Sequence, residues 1–295
     1  MTRAPIFDEI ARKKKVADII RECLKQLGID DHVDERELHV HDRYIAETTS
    51  QQSGLSRAVL DQMFPAEPSP STLYHYTSLA GLKGIASTGE LRLFPIRNRL
   101  GQGGELKAFA KTHHLEGYLD TSQGEAFYKE LADGLFYVAM TRVPPKNPSL
   151  MWGHFSEGTG VRLEFQVRRK AAELRPIRYE TQGEKTLLSE INDALAASEE
   201  PAFVPWTISR IGAFYLTSLV ATEDEVRLLV KSYDRNQEPI AHDGSSDYWP
   251  IPIGVDNRYC ALDIKGIHLA PNATPADVKA AIAGTVFENV PISGP

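Results

Sequence analysis

The stretch LYHYTSLAGLKGIASTGELRL, residues 73–93, predicts a strand, a helix and a second strand in direct succession. Side chains over residues 73–77 alternate between two faces, as in a β-strand. Apolar residues then recur at helical spacing at Leu79, Leu82 and Ile85. Ser78 is placed to cap the first turn of this helix and Gly89 to end its last turn. A strand followed at once by a one-sided helix and a second strand therefore organises this part of the chain.

His75 is the polar residue at the centre of the first predicted strand. It shares one strand face with Leu73 and Thr77, because alternate residues of a strand point to the same side. A ring on that face is either a core histidine with satisfied hydrogen bonds or a group turned toward a cleft. The residues alone leave both interpretations open.

The bulk composition is that of an ordinary soluble globular protein. The chain has 295 residues, 42% hydrophobic and 25% charged, with a net charge of −7 that argues against a broad nucleic-acid surface. Cys23 and Cys260 are the two cysteines, so neither a disulfide framework nor a zinc ribbon is expected. No apolar run reaches the length of a membrane span, and the first residues do not resemble a secretory signal. These features predict a cytoplasmic protein with no membrane partner.

A proline- and serine-rich segment, PAEPSPST at residues 65–72, predicts a boundary between two regions. Residues 1–70 are expected to form a helical N-terminal region, with helices over 7–27, 35–49 and 53–64. Residues 71–295 are expected to form an α+β domain. The helix over 53–64 faintly suggests a helix-turn-helix, but it offers few base-reading side chains, which favours a small helical bundle.

The second region carries seven predicted strands, and three further helices are predicted besides the one that follows Ser78. The strands are expected near residues 73–77, 90–94, 135–142, 160–167, 174–180, 225–233 and 259–269. The helices are expected over 184–197 and 205–219 and after the capping residue Thr274. Strands and helices do not alternate regularly, so we expect a mixed, largely antiparallel sheet with helices rather than a doubly wound parallel sheet.

Two motifs are weak indicators of function. His39 and His41 lie in the predicted helix over 35–49, where positions i and i+2 face different ways, so no metal site is predicted there. The segment GQGGEL at residues 101–106 lacks the lysine that a phosphate-binding loop requires, which favours a plain loop.

Two other segments are more distinctive. In NPSLMWGHFSEGTGVRLEF, residues 147–165, Trp152 either packs in the core or offers a flat face to a planar ligand. In TEDEVRLLVK, residues 222–231, Glu223, Glu225 and Arg227 occupy alternate positions and are predicted to point to one side. Such a row is costly to bury unless its members pair or meet a ligand. It is therefore either an exposed salt-bridged face or a carboxylate held by an arginine at a cleft.

Taken together, these segments resemble a bacterial family known as domain of unknown function twenty-nine seventy-one. The resemblance covers about residues 72–285 and is carried by YHYTS, LMWGHF, GVRLEF and EDEVR, together with the closing strand and helix. The N-terminal helices lie outside it. Asn98 begins a segment, Asn-Arg-Leu, that stands where the family has Asn-Asp-Pro.

The order of these motifs also resembles the ADP-ribosyltransferase fold of the histidine–tyrosine–glutamate type. The resemblance implies that His75 binds the adenosine ribose of NAD and that Trp152 or Tyr137 stacks on nicotinamide. It implies that Glu225 is the catalytic carboxylate, assisted by Glu223 and oriented by Arg227. The remaining nucleotide-binding residues implied are Tyr76, Thr77 and Asn98. Tyr76 stands where the transferase motif has glycine.

The implied function is an ADP-ribosyltransferase that uses NAD as its substrate, acting as a bacterial effector or defence toxin on a protein or nucleic-acid acceptor. Cleavage of the glycosidic bond builds positive charge on the ribose, which a fixed carboxylate stabilises. The alternative is a non-enzymatic module of the same family that binds a nucleotide or a protein partner through the same cleft. Turnover of NAD distinguishes the two.

Overall fold

In the computed structural model of the chain, the described residues are 5–48, 54–98, 105–113, 115–121, 132–142, 148–156, 158–179, 181, 183, 185–206, 208–216, 223–233 and 238–294. They belong to two compact units, each assembled from three separate stretches. The first unit comprises Met1–Pro65, Leu100–Ala132 and Glu180–Leu216. The second comprises Ala66–Arg99, Asp133–Tyr179 and Thr217–Pro295.

The predicted regions 1–70 and 71–295 follow chain order and so do not reproduce these units. The first exchange between units, after Pro65, falls at the proline-rich segment. Two later stretches, Leu100–Ala132 and Glu180–Leu216, also belong to the first unit, and no change in composition marks where they begin.

Eight α-helices and fifteen strands are described. The helices are α1 (Pro5–Gln26), α2 (Leu55–Met63), α3 (Leu79–Thr88), α4 (Glu105–Thr112), α5 (Pro148–Ser156), α6 (Leu187–Ala197), α7 (Ile208–Gly212) and α8 (Pro275–Ile282). The strands are β1 (Leu38–Val40), β2 (Ile45–Glu47), β3 (Ser71–Thr77), β4 (Glu90–Pro95), β5 (Leu135–Thr141), β6 (Val161–Arg169), β7 (Glu173–Pro176), β8 (Arg178–Tyr179), β9 (Phe203–Val204), β10 (Tyr215–Leu216), β11 (Glu225–Lys231), β12 (Ala241–His242), β13 (Asp247–Pro252), β14 (Cys260–Leu269) and β15 (Ile292–Ser293).

In the first unit, the helices predicted over 7–27 and 53–64 are confirmed as α1 and α2, but the helix predicted over 35–49 is wrong. That segment forms a short 3₁₀ turn and then the hairpin β1–β2, to which β9 adds in parallel. Alternation of Leu38 and Val40, a period of two, is the signal for a strand that the helical interpretation overlooked. The helix predicted over 205–219 is shorter, since α7 ends at Gly212 and β10 follows.

The second unit contains a ten-stranded sheet in the order β12-β13-β4-β5-β3-β6-β14-β15, with β11 pairing β5 and β7. The pairs within it are antiparallel except β14–β15. This confirms the α+β class and the largely antiparallel mixed sheet. The predicted strands match β3, β4, β5, β6, β7–β8, β11 and β14, and the helix predicted after Thr274 is α8.

The core of the second unit lies on one face of this sheet. Leu73, Leu163 and Leu228 from three strands are fully buried there. Leu82 of α3 and Val278 of α8 pack in the same cluster. Apolar burial on this face is the main contribution to the stability of the unit, at about 25 cal/mol per Å².

Strand β13, DYWPIP, which contains Pro250 and Pro252, was not predicted from the sequence. Proline cannot donate to a ladder, which argues against an interior strand. In the structure β13 nevertheless pairs with β4, and Trp249 and Ile251 alternate into the core opposite Leu93 and Leu91. The alternation of apolar side chains therefore outweighs the missing donors.

Candidate functional site

A cavity opens where two strands share one edge of β5. Strand β11 pairs with β5 along its whole length, from Glu225↔Thr141 to Lys231↔Leu135. The other edge of β5 therefore pairs with two strands, with β4 at Phe94↔Tyr137 and with β3 at Tyr74↔Thr141. Between these two contacts β3 and β4 diverge and leave the middle of β5 without a strand partner on that edge. We call this opening the wedge; its cavity has a volume of about 480 Å³, within the usual size of a ligand site.

Helix α3 joins β3 to β4 and forms one wall of the wedge. Its residues at i and i+4 lie on one helical face, and Ala80, Gly81, Gly84 and Ile85 line the cavity. Leu82 and Ala86 point instead into the core. Ser78 caps the helix by accepting a hydrogen bond from the Gly81 N–H at 3.1 Å. The N-cap and C-terminal glycine predicted from the sequence are both confirmed, with Gly89 at a φ of +68°.

His75 reaches across the wedge to β5. Its Nδ1 lies 2.9 Å from the carbonyl oxygen of Ala139, on the edge of β5 that has no strand partner there. The Nδ1–H therefore donates to that oxygen, and Nε2 is left as an acceptor. Burial lowers the pKa of His75, an effect partly opposed by this hydrogen bond. The histidine is thus a neutral ring with a fixed tautomer, lining the cavity.

Two carboxylates line the cavity from the start of β11. Glu225 is 5% exposed, and its Oε1 accepts a hydrogen bond of 2.7 Å from Nε of Arg227. The Arg227 guanidinium lies 4.3 Å from the ring centroid of Tyr137, a cation–π contact that fixes both side chains. Glu223 is half-buried and lines the same cavity.

The predicted alternation of Glu223, Glu225 and Arg227 holds only for the last two. The strand begins at Glu225, and Asp224 adopts a left-handed conformation with φ of +46°. This turn breaks the period of two before the strand, so Glu223 reaches the cavity by a bend of the backbone. Asp tolerates that conformation better than most residues.

A second buried ion pair lies beside the first. Arg175 of β7 is directly opposite Arg227 of β11, and it is fully buried. Its Nε donates to Glu173 at 2.9 Å, so each arginine is paired with the glutamate two residues before it. This pair was not predicted from the sequence, although Glu-Leu-Arg in β7 has the same spacing as Glu-Val-Arg in β11.

Tyr179 is a further polar residue in contact with Glu225. Its hydroxyl oxygen accepts a hydrogen bond of 3.2 Å from the Glu225 N–H. Burial raises the pKa of Tyr179 strongly, and the carboxylates of Glu225 and Glu223 act in the same direction. The phenol therefore stays protonated throughout the neutral range.

Strand register places His75 and Glu225 on opposite faces of the sheet. Tyr74, Thr141 and Glu225 lie side by side across β3, β5 and β11, so they share a face, and His75 leaves β3 on the other. Both nevertheless line one cavity, because the wedge interrupts the sheet between them. The ring of Tyr74 is held at this face by Arg162, whose guanidinium lies 4.7 Å from the ring centroid.

The other sequence-predicted residues divide into two groups. Tyr76, Thr77 and Tyr137 line the cavity with His75. Trp152 does not; it packs edge-on against Tyr76, with 4.7 Å between ring centroids, in a small buried cluster. Asn98 also lies away from the cavity lining, and its side-chain amide donates to Ser246 at 2.7 Å.

Arg92, Phe94 and Thr141 are among the cavity residues that were not predicted from the sequence. Arg92 and Phe94 alternate with the core residues Leu91 and Leu93 on β4, and this period of two is the one signal that places them on the other face of the strand. Thr141 can be identified as a cavity residue only from its pairing with Tyr74, a long-range contact that has no local sequence signal.

Within the described residues, no three His, Cys, Asp or Glu side chains come together as a metal-binding group. His39 and His41 stand on the β1–β2 hairpin rather than on a helix, with ring centroids 6.3 Å apart. Cys260 is a buried free thiol, and burial raises its pKa to about 12.

No helix in the described part of the chain is both long and apolar enough to cross a bilayer. Comparisons of the chain with protein-family models, with curated proteins and with solved structures return no match. The family resemblance seen in the sequence therefore stays a prediction, and the residues that line the wedge are the basis for proposing a function.

Proposed function

We propose that the chain is an NAD-dependent ADP-ribosyltransferase whose dinucleotide substrate binds in the wedge. The observation that carries this proposal is that one cavity of about 480 Å³ is lined by His75, Tyr137, Glu223 and Glu225. The first two residues can bind a ribose and a planar ring, and the last two supply negative charge.

The chemistry required of such a site matches these side chains. In the reaction, the bond between ribose C1′ and the nicotinamide nitrogen breaks, and its electron pair leaves with nicotinamide. Positive charge grows on the ribose, and a fixed carboxylate stabilises it. A nucleophilic atom of the acceptor then bonds to C1′ and gives up its proton to a base, a role for which Glu223 is a half-buried carboxylate lining the cavity.

His75 supports substrate binding rather than proton transfer. Its Nδ1–H is committed to the Ala139 carbonyl, and its lowered pKa keeps Nε2 unprotonated. Nε2 is therefore an acceptor for a ribose hydroxyl. The small-residue face of α3 leaves space next to it for the rest of the nucleotide.

Nicotinamide release from NAD tests the proposal, with total cell protein and total RNA offered as acceptors. We expect release by the intact chain and a loss of about 10²–10³-fold in Glu225→Gln, the usual effect of removing one electrostatic group from an active site. Glu288→Gln, on an exposed position, is the matched control and is expected to keep full activity. Absence of release under all acceptor conditions, or equal release by the Glu225→Gln variant, would overturn it.

One observation favours the alternative of a binding module. Both carboxylate oxygens of Glu225 interact with Arg227, at 2.7 and 3.4 Å. A cation so close reduces the negative potential that a developing ribose cation would experience. Calorimetric binding of NAD without nicotinamide release, unchanged between the intact chain and Glu225→Gln, is the result expected of such a module.

A further inference from the structure

Apart from Ile85, the wall that α3 contributes to the wedge is made of small residues. Thr77 and Ser78 precede the helix, and Ala80, Gly81 and Gly84 follow on its cavity-facing side. None has a side chain longer than that of threonine. The helix backbone is therefore open to direct approach by a ligand in the cavity.

The two glycines serve different purposes. A Cβ on Gly81 would collide with the Thr77 hydroxyl, so this glycine is required by packing. A Cβ on Gly84 would meet nothing within 4 Å. Since Gly84 lines the cavity, the space beside it is available to a ligand.

The first turn of α3 has backbone N–H groups that precede its internal hydrogen bonds, and Ser78 and Ala80 of this turn line the cavity. Within the helix, the first internal bond runs from the Leu82 N–H to the Ser78 carbonyl at 2.9 Å, and the Gly81 N–H is satisfied by the Ser78 side chain. The N–H groups of Leu79 and Ala80 precede these bonds. Together with the helix dipole they form a region of positive potential that attracts anions.

An independent observation points to a ligand in the same cavity. The hydroxyls of Tyr76 and Thr141 have no hydrogen-bond partner among the described residues, although the two residues are only 5% and 3% exposed. Buried polar groups are normally paired, because leaving one unpaired is unfavourable. Both residues line the wedge, and both hydroxyls can donate to an oxygen acceptor.

The charges and acceptors near this wall define the ligand further. Arg92 lines the cavity with a side chain 30% exposed; its guanidinium lies 4.3 Å from the ring centroid of Tyr248, and its contact with the Asp243 carboxylate is long at 3.4 Å. Neutral His75, with Nε2 as acceptor, suits a ribose hydroxyl. The cavity therefore combines a cation, helix N–H groups and hydroxyl donors with a histidine nitrogen that can accept from a ribose hydroxyl. This set of groups fits a ligand in which a sugar is joined to an anionic oxygen group.

We propose that the first turn of α3, the open face at Gly84 and the hydroxyls of Tyr76 and Thr141 bind the diphosphate of a nucleotide. The inference rests on the proposed function for the choice of a nucleotide as the ligand. It assigns the recognition of the charged part of the substrate to α3, a helix that carries none of the predicted catalytic residues.

A charge-only comparison at Gly84 tests this assignment. Gly84→Asp and Gly84→Asn add side chains of nearly equal size into open space, and both residues are better helix formers than glycine. The probes are ADP and adenosine, with affinities measured by calorimetry on the full chain. Circular dichroism and thermal melting check that both variants are folded.

We expect ADP to bind at least tenfold more weakly to Gly84→Asp than to Gly84→Asn, because only the aspartate repels the diphosphate. Adenosine should bind the two variants equally. Equal ADP affinities for the two variants, or no ADP binding by the intact chain, would overturn the inference. A charge-dependent loss of ADP binding in a chain that releases no nicotinamide from NAD would retain the diphosphate site and reject the transferase reaction.

Discussion

His75 illustrates how burial and a single hydrogen bond set the state of one side chain. Burial in the wedge favours the uncharged ring, and the Ala139 carbonyl selects the Nδ1–H tautomer. In the unfolded chain the same histidine titrates at its ordinary pKa near 6.5. Folding therefore excludes a proton that the unfolded chain binds below that pH.

This difference predicts a pH dependence of stability. Below about pH 6.5 the unfolded state takes up a proton that the native state does not, so the free energy of unfolding falls as the pH is lowered toward the reduced native pKa of His75. Above that window both states are neutral and the contribution is constant. Urea unfolding at several pH values should show a shallower acid loss for His75→Asn than for the unchanged chain. His154→Asn, at an exposed position of α5, controls for the loss of any histidine; an identical slope for His75→Asn and the unchanged chain would contradict the prediction.

At the scale of the element, β11 and β7 carry buried charged side chains on one face of the sheet and core residues on the other. Val226 and Leu228 point to the core, whereas Glu225 and Arg227 point to the face that carries Arg175. A buried ion pair contributes little net stability, but removal of one partner leaves an isolated buried charge. The paired charges are better explained by positioning of Glu225 at the wedge than by stabilisation.

Arg227→Met is therefore expected to destabilise the second unit by about 3–5 kcal/mol, because it leaves the Glu225 carboxylate buried without this partner. Adding Glu225→Gln to Arg227→Met removes that charge and should restore a large part of the loss. Chemical unfolding of the two single variants and the double variant measures the coupling. Additive losses, with no recovery in the double variant, would show that the two side chains do not act as a pair.

The elements themselves were largely predictable, while the wedge was not. The strand–helix–strand unit from Leu73 was read directly from its change of period, and its caps were correct. His75, Glu223 and Glu225 were also singled out from local pattern and resemblance. The opening between them depends on β3 and β4 pairing with the same edge of β5, which is a long-range property without a local signal. For the same reason Trp152 could not be distinguished from a ligand-stacking ring until its contact with Tyr76 was known.

At the scale of the whole chain, the two units are interleaved along the sequence. The first unit is completed by residues 180–216, where β9 pairs with β2 through Phe203↔Ile45. Helix α6 packs against α1, and its residues Leu188, Ile191 and Leu195 are fully buried. A single boundary at the proline-rich segment places these partners in different domains. That segment marks where the chain leaves the first unit, but no similar segment marks where residues 100–132 and 180–216 rejoin it.

Interleaving predicts that residues 71–295, produced without residues 1–70, will not retain a folded segment over 187–204. Loss of α1 and β2 exposes the buried side chains of α6 and Phe203, and that segment should be cleaved by proteases at concentrations that leave the full chain intact. Mass spectrometry of the fragments locates the cuts. The control is the full chain cleaved at a protease site inserted into residues 66–70, in which the first 65 residues remain present and should still protect α6. Equal resistance of residues 187–204 in the shortened and full chains would show that the second region folds independently, as the order of the sequence alone suggests.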